Sequence, residues 1–416
     1  MTRFRLLYVG LVGAGLGLSM LPHSPLGIAA AQAQEADKLR PEVGKPLQKA
    51  QDFVKQHKLP EATAQLHDAE NAKSKTAYES FVIEQVRGSI AQASGDTAAA
   101  AKSYETQLAS GRVTGAEQTK LVLAVASMSY QAKDYPKAIT WFTRYFKESG
   151  ADPAMRTFLI QSYYLSGDYA SAGKAQADQI QAEEKAGQKP PEDQLQLLQA
   201  CQTQTKDNVG FSNTMEKLVT LYPKKDYWAQ LIHGLQVKPG FSDRLTLDLD
   251  RLQLAVGTLA TSAQYMDMAQ ISLQAGLTGE AKAVVDKGYA AGVLGTGAEA
   301  ARQQRLKDLV TRTIAEDQQT AGKADADAAA AKDGQAQLDL GAKYVSYGQF
   351  DKGIPAMEAG IRKDALKHPE DAKLHLGLAY LAAGQKAKAV QMLKTVGGTD
   401  GTADLARLWI LQIGKV

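Results

Sequence analysis

With 416 residues, 48 basic against 45 acidic side chains and a formal net charge of +3, the chain is long enough for two ordinary domains or one extended repeat array. That balance supplies no concentrated basic face, which excludes nucleic acid as the expected partner. The lone Cys201 excludes an intramolecular disulfide, so stability must come from packing.

Residues 1–33 read as a cleavable export signal. Arg3 and Arg5 make a basic start, Leu6 to Met20 form an apolar run, Pro22 and Pro25 break it, and Ala31-Gln32-Ala33 offers small residues for cleavage before Gln34. Gly10, Gly13, Gly15 and Gly17 interrupt the run, which falls short of the roughly 20 residues of a spanning helix, so no stable membrane span is expected after cleavage. No cysteine follows for lipid attachment, and Thr2-Arg3-Phe4-Arg5 is not a twin-arginine pair. The chain is therefore expected to cross unfolded and to fold in the periplasm. Without Arg3 and Arg5 the balance is 46 basic to 45 acidic residues, so the basic excess belongs largely to the leader.

Beyond the leader, apolar residues recur close to every 3.6 positions and alternating β-branched runs are absent, which predicts an all-α protein. Residues 34–185 read as N-terminal repeats. Within them Lys120 to Ala132 carries Leu121, Val125, Met128 and Ala132 on one face. A break at Lys133-Asp134-Tyr135 follows, then a helix opened by Pro136 with Ala138, Phe142 and Tyr145 on its face. Asp152-Pro153 reads as an N-cap and first helical residue, and Gly167-Asp168-Tyr169 as the next turn. In 186–297 the pattern blurs, yet Leu195 to Thr205, Ser212 to Tyr222, Trp228 to Leu235 and Asp243 to Val256 still read as four helices, with Ser212 and Ser242 offered as N-caps. Joints are expected at 185–191 and at Lys238-Pro239-Gly240, where prolines stop helices. In 298–332, Leu306, Leu309, Val310 and Ile314 give one buried side, whereas 316–332 holds nothing apolar larger than alanine and predicts a solvated helical extension or connector. The last stretch, 333–416, contains the clearest copies: Leu340-Gly341-x-x-Tyr344-x-x-x-Gly348 and Leu376-Gly377-x-x-Tyr380-x-x-x-Gly384, followed by Gly353 and Ala389. This spacing describes antiparallel helix pairs with small residues where backbones touch and glycine in the turn. Leu405, Leu408, Trp409, Ile410 and Leu411 make a final apolar face that caps the last repeat or, alternatively, joins two subunits as a homodimer.

These hairpins resemble the tetratricopeptide repeat (TPR), a helix–turn–helix of about 34 residues. Its second small position falls on Ala62, Ala100, Ala138, Ala172, Ala281, Gly353 and Ala389, at neighbouring intervals of 38, 38, 34 and, for the last pair, 36. The longer intervals reflect insertions in outer turns such as 110–115. The resemblance covers most of 41–396, although the family's tryptophan is missing from the clear copies. It implies a right-handed α-solenoid of stacked hairpins, of an exported proteobacterial type, with the first helix of each hairpin lining a concave groove. By that correspondence the groove holds Gln85, Ser89 and Gln92; Lys120, Leu123, Ser127, Tyr130 and Gln131; Ala154, Thr157, Gln161, Tyr164 and Leu165; and Met266, Gln270, Leu273 and Gln274. Its amides and hydroxyls both donate and accept, suiting an extended peptide. The family's cationic clamp for a peptide C-terminus is not evident, since only Lys120 is basic there.

Signatures of chemistry are missing. The sequence contains no G-x-S-x-G, no phosphate loop and no H-E-x-x-H. Gly295-Thr296-Gly297-Ala298-Glu299-Ala300 follows a helix rather than a strand, so it reads as an interhelix loop and not a dinucleotide site. His57 with His67, and His368 with His375, lack the spacing of a zinc site. Asp248, Asp250 and Glu280 read as acids that are solvated or paired with lysines, and Cys201 as a buried small hydrophobe. The expectation is a non-catalytic scaffold without cofactor or metal. It would bind a protein or peptide segment in the cell envelope, accessory to envelope assembly or trans-envelope machinery. The alternative is a polysaccharide- or peptidoglycan-associated superhelix of exopolysaccharide secretion or wall remodelling.

Overall fold

A computed structural model describes residues 37–414 apart from 151, 332, 364 and 365; the expected leader lies outside the described residues. Twenty α-helices and no strand occur among the described residues. The chain divides between Ser166 and Gly167 into two compact units, with the division at a turn that the sequence reads as the middle of a hairpin.

Unit 1 consists of α1 (Pro41–Lys55), α2 (Leu59–Glu70), α3 (Ala77–Ser94), α4 (Thr97–Ala109), α5 (Gly115–Gln131), α6 (Tyr135–Ser149) and α7 (Pro153–Leu165). The first six pair as antiparallel hairpins. A common device starts several helices here and in unit 2. Gly95, Lys133, Gly167 and Lys206 take positive φ, and the aspartate that follows each one caps the next helix. Asp96, Asp134, Asp168 and Asp207 accept backbone N–H bonds from Ala99, Lys137, Ser171 and Gly210 at 2.9–3.2 Å. Asp152 caps α7 in the same way, from Met155 at 3.2 Å. At the start of α3, Thr76 and Glu79 form a reciprocal capping box. Glu79 is fully buried and takes Arg40 Nε and Nη2 at 2.8 Å; that charged partner, together with backbone N–H donors, overcomes burial and holds its carboxyl at about 2.

Unit 2 holds α8 (Tyr169–Lys185), α9 (Glu192–Thr205), α10 (Asn208–Leu221), α11 (Lys225–Gln236), a 3-10 turn at Asp243–Leu245, α12 (Thr246–Val256), α13 (Ser262–Gln274) and α14 (Thr278–Ala290). It continues with α15 (Ala300–Ala330), α16 (Gln335–Ser346), α17 (Phe350–Arg362), α18 (Pro369–Ala382), α19 (Lys386–Leu393) and α20 (Thr402–Ile413). The alanine-rich segment is helical to Ala330, with its acids paired to α16: Asp317 takes Lys343 Nζ at 2.5 Å and Tyr347 Oη at 2.7 Å. Ser212 is not an N-cap. It sits inside α10, where its hydroxyl donates to Asn208 O, because Asp207 caps that helix one turn earlier. Ser242 precedes the 3-10 turn without a side-chain capping bond.

The small repeat residues lie where expected. Ala62, Ala100, Ala138, Ala172, Ala281 and Ala389 are 0 % exposed and Gly353 is buried, which fixes the phase of the hairpins that carry them. Gly348 and Gly384 take φ of +74° and +75° in their turns, a backbone region open to glycine without strain. Cys201 is 1 % exposed beside Gly173, and burial pushes its thiol up to about 11.

Residues 186–256 and 333–416 share one hydrophobic core, from Leu195, Met215, Trp228 and Leu249 to Leu374, Leu376, Leu405 and Trp409. A polar seam ties the same parts. Ser242 N donates to Asp400 O at 2.9 Å, Arg244 bonds both Asp371 oxygens at 2.8 and 2.9 Å and reaches Asp400 at 2.6 Å, and Lys238 meets Asp404 at 2.6 Å. The expected joint at Lys238-Pro239-Gly240 is therefore docked on the last helices. The apolar face of α20, with Leu405, Leu408 and Trp409, is buried within the unit, as a cap requires.

Candidate binding surfaces

Unit 1 carries most of the groove residues named from the repeat correspondence. Gln92 on α3, Lys120 and Gln131 on α5, and Ser89 and Thr157 on α3 and α7 are exposed, whereas Gln85, Tyr130, Gln161 and Tyr164 are half-buried. The structure brings two of these together: Tyr130 Oη donates to Gln161 Oε1 at 2.6 Å, linking α5 to α7. The Tyr130 ring stands edge-on to Phe158 at 5.2 Å and to Tyr135 at 6.0 Å between centroids. Tyr130 is thus a packing residue between repeats as well as a surface residue. Gln92 accepts from the Tyr104 hydroxyl at 2.8 Å, so its oxygen is engaged while its amide nitrogen can donate. Repeat spacing predicts which helix face a residue occupies. It carries no information about a side chain's rotamer or its partner across the hairpin.

Gln270 lies in unit 2, on α13. It lines a polar recess of about 290 Å³ with Thr246, Asp250, Gln264, Asp267 and Gln274. Burial, then the neighbouring Asp267 carboxylate, pushes Asp250 up to about 6. Met266 is not a surface residue: it is 6 % exposed, its thioether packed into the α13–α14 core.

Two of the three acids, Asp248 and Glu280, are neither solvated alone nor paired with lysine: both bind one arginine. Asp248 is buried, and Arg251, one helical turn on, donates to it at 2.6 Å while bonding both Glu280 oxygens at 2.7 Å. His375 Nε2 lies 3.0 and 3.1 Å from the two Asp248 oxygens. Burial drives the Asp248 carboxyl upward, but the His375 and Arg251 charges outweigh it and hold the group well below the usual carboxylate range. Asp248 and Arg251 stand one helical turn apart, a spacing the sequence reading passed over; His375 comes from a helix 127 residues away, and no local pattern announces it. Among the described residues no group of three or more His, Cys, Asp or Glu could hold a metal, and no helix is long and apolar enough to cross a membrane.

The tryptophans give little platform for stacking sugars. Trp228 and Trp409 are buried, and Trp141 is half-buried with the Arg144 guanidinium 5.3 Å above its ring.

The family model of the tetratricopeptide repeat matches residues 86–153, covering α4 to α6 with parts of their neighbours, and 338–396, covering most of α16 through α19. Solved structures similar to the chain include the TPR2AB domain in the pHSP90 complex of yeast Sti1, 12% identical over 72% of this chain and 99% of that one, with a TM-score of 0.23. Yeast Tom70 is 10% identical over 90% and 96% of the two chains, TM-score 0.25. Naa15/Naa10 bound to HypK-THB is 15% identical over 85% and 58%, TM-score 0.32. No curated protein matches the chain by sequence. The two matched segments fall on hairpins whose small residues are buried at the repeat positions, so residues 86–153 and 338–396 are tetratricopeptide repeats within an all-α helical-repeat fold.

Proposed function

We propose that this chain is a non-catalytic scaffold of the cell envelope that holds an extended segment of a partner protein along α3, α5 and α7. One observation carries the reading: the groove positions of successive inner helices leave amides and hydroxyls exposed, at Ser89, Gln92, Gln131 and Thr157. An extended chain offers a donor and an acceptor at nearly every residue, and glutamine amides answer both. Placement in the periplasm rests on the leader-like first 33 residues. A role in envelope assembly or trans-envelope machinery is the corresponding biological setting.

Exposed positions make the cleanest test, because Tyr130 also supports the fold. Replacing Gln92, Gln131 and Thr157 together by arginine is expected to reduce capture of the partner from a periplasmic extract by about tenfold, equivalent to about 1.4 kcal/mol. The same change at exposed Thr143 on α6 should leave capture intact. Equal capture by the triple variant and wild type, with unchanged helical circular dichroism, rejects the surface.

A further inference from the structure

Unit 2 contains a recess that the peptide-binding reading of unit 1 does not use. Its volume is about 400 Å³, and its walls come from α12, α13 and α14 together with α16, α17, α18 and α20. Leu254, Met268, Val284, Val345, Met357 and Leu378 make it mainly apolar, while Ala283 and Ala382 line it and are solvent-exposed. The size falls within the range of small-molecule sites.

Two polar features decide what it can hold. Trp409 lines the wall and is 6 % exposed, yet its indole N–H is buried with no acceptor among the described residues. An unpaired buried donor is costly, and a ligand that brings an acceptor removes that cost. The charged residues at the recess are already engaged. Arg251 is shared between Glu280 at 2.7 Å and Asp248 at 2.6 Å, and His375 faces Asp248 at 3.0 Å. With two carboxylates on one guanidinium, an anionic headgroup would find no free cation and would meet Glu280. An inserted peptide backbone would bring N–H donors into walls that are mostly hydrocarbon.

We infer that this recess binds an uncharged, largely apolar small molecule of about naphthalene bulk that carries one carbonyl-type acceptor for the Trp409 indole N–H. All of its walls belong to unit 2, so the inference stands or falls independently of the surface on α3, α5 and α7.

Three fluorescent naphthalenes test it on the full chain: the neutral ketone prodan, its ketone-free parent 2-dimethylaminonaphthalene, and the anionic 1-anilinonaphthalene-8-sulfonate. Prodan is expected to bind saturably at one per chain with a blue-shifted emission. Ala283→Trp and Ala382→Trp, which add bulk at exposed lining positions, should each weaken it about tenfold or more without loss of helical circular dichroism. Trp409→Phe removes ring area felt by both neutral probes and the N–H felt by the ketone alone, so it should weaken prodan about fivefold more than the ketone-free probe. The sulfonate should bind about tenfold more weakly than prodan. Absence of saturable prodan binding, or binding indifferent to both tryptophan insertions, overturns the site. Equal weakening of both neutral probes by Trp409→Phe overturns the acceptor, and sulfonate binding as tight as prodan overturns the neutral ligand.

Discussion

Gly341→Ala is expected to destabilise unit 2 by about 1–3 kcal/mol, even though alanine is the better helix former by about 1 kcal/mol. Glycines line both sides of the contact between α16 and α17. A Cβ at Gly341 would stand 2.7 Å from Gly353 O and 2.8 Å from Met357 N, and one at Gly353 would stand 2.7 Å from Gly341 O. The pattern repeats seven residues away, where a Cβ at Gly360 would come within 2.6 Å of Gly334 O. Backbone atoms cannot swing aside as a side-chain end can, so the two helices would have to separate. The control is Gly322 in α15, where an added Cβ meets nothing within 4 Å. Gly322→Ala should stabilise by up to about 1 kcal/mol. Urea unfolding followed by tryptophan fluorescence, with Trp141 of unit 1 replaced by phenylalanine, reads Trp228 and Trp409 of unit 2. Movement of both midpoints in the same direction would disprove the close backbone approach.

The second large effect concerns the ion network behind the recess. Arg251→Met removes the cation from a buried carboxylate and should cost about 3–5 kcal/mol, because Asp248 is left with His375 alone. Adding Asp248→Asn should recover part of that loss, since the more deeply buried of the two carboxylates is then neutral and only the half-buried Glu280 stays unpaired. A double variant less stable than Arg251→Met would show that the loss comes from packing rather than charge. Acid titration gives an independent reading. The folded-state value of Asp248 lies below its unfolded value of about 3.9, so its stabilisation is full above that pH and is lost as pH falls through the folded value. Asp248→Asn should therefore flatten the stability of unit 2 below about pH 4. An unchanged acid limb in that variant would contradict the pairing.

These two cases mark where sequence reading succeeds and where it stops. Gly341 and Gly353 were legible because a helical hairpin repeats its close contact at a fixed offset, and the same offset located six fully buried alanines. The helices of 186–256 were legible from their period but not their starts: α9, α10 and α11 begin three or four residues early, α10 because Asp207 displaced Ser212 as cap, and α12 follows a 3-10 turn. The return of α18 and α20 onto α10–α12 was not legible. It depends on pairs such as Arg244 with Asp371, separated by 127 residues and unmarked by any period. The surface on α3, α5 and α7 was legible as a face. That Tyr130 reaches Gln161 depends on rotamers that no spacing encodes.

The most direct test of the scaffold reading is site-specific photocrosslinking in living cells, with a benzoylphenylalanine placed in turn at Gln92, Gln131, Thr157 and, as a control, Thr143. Adducts to one envelope protein from the first three positions and none from Thr143 are the expected result. Equal labelling from all four, or labelling from Thr143 alone, would contradict it.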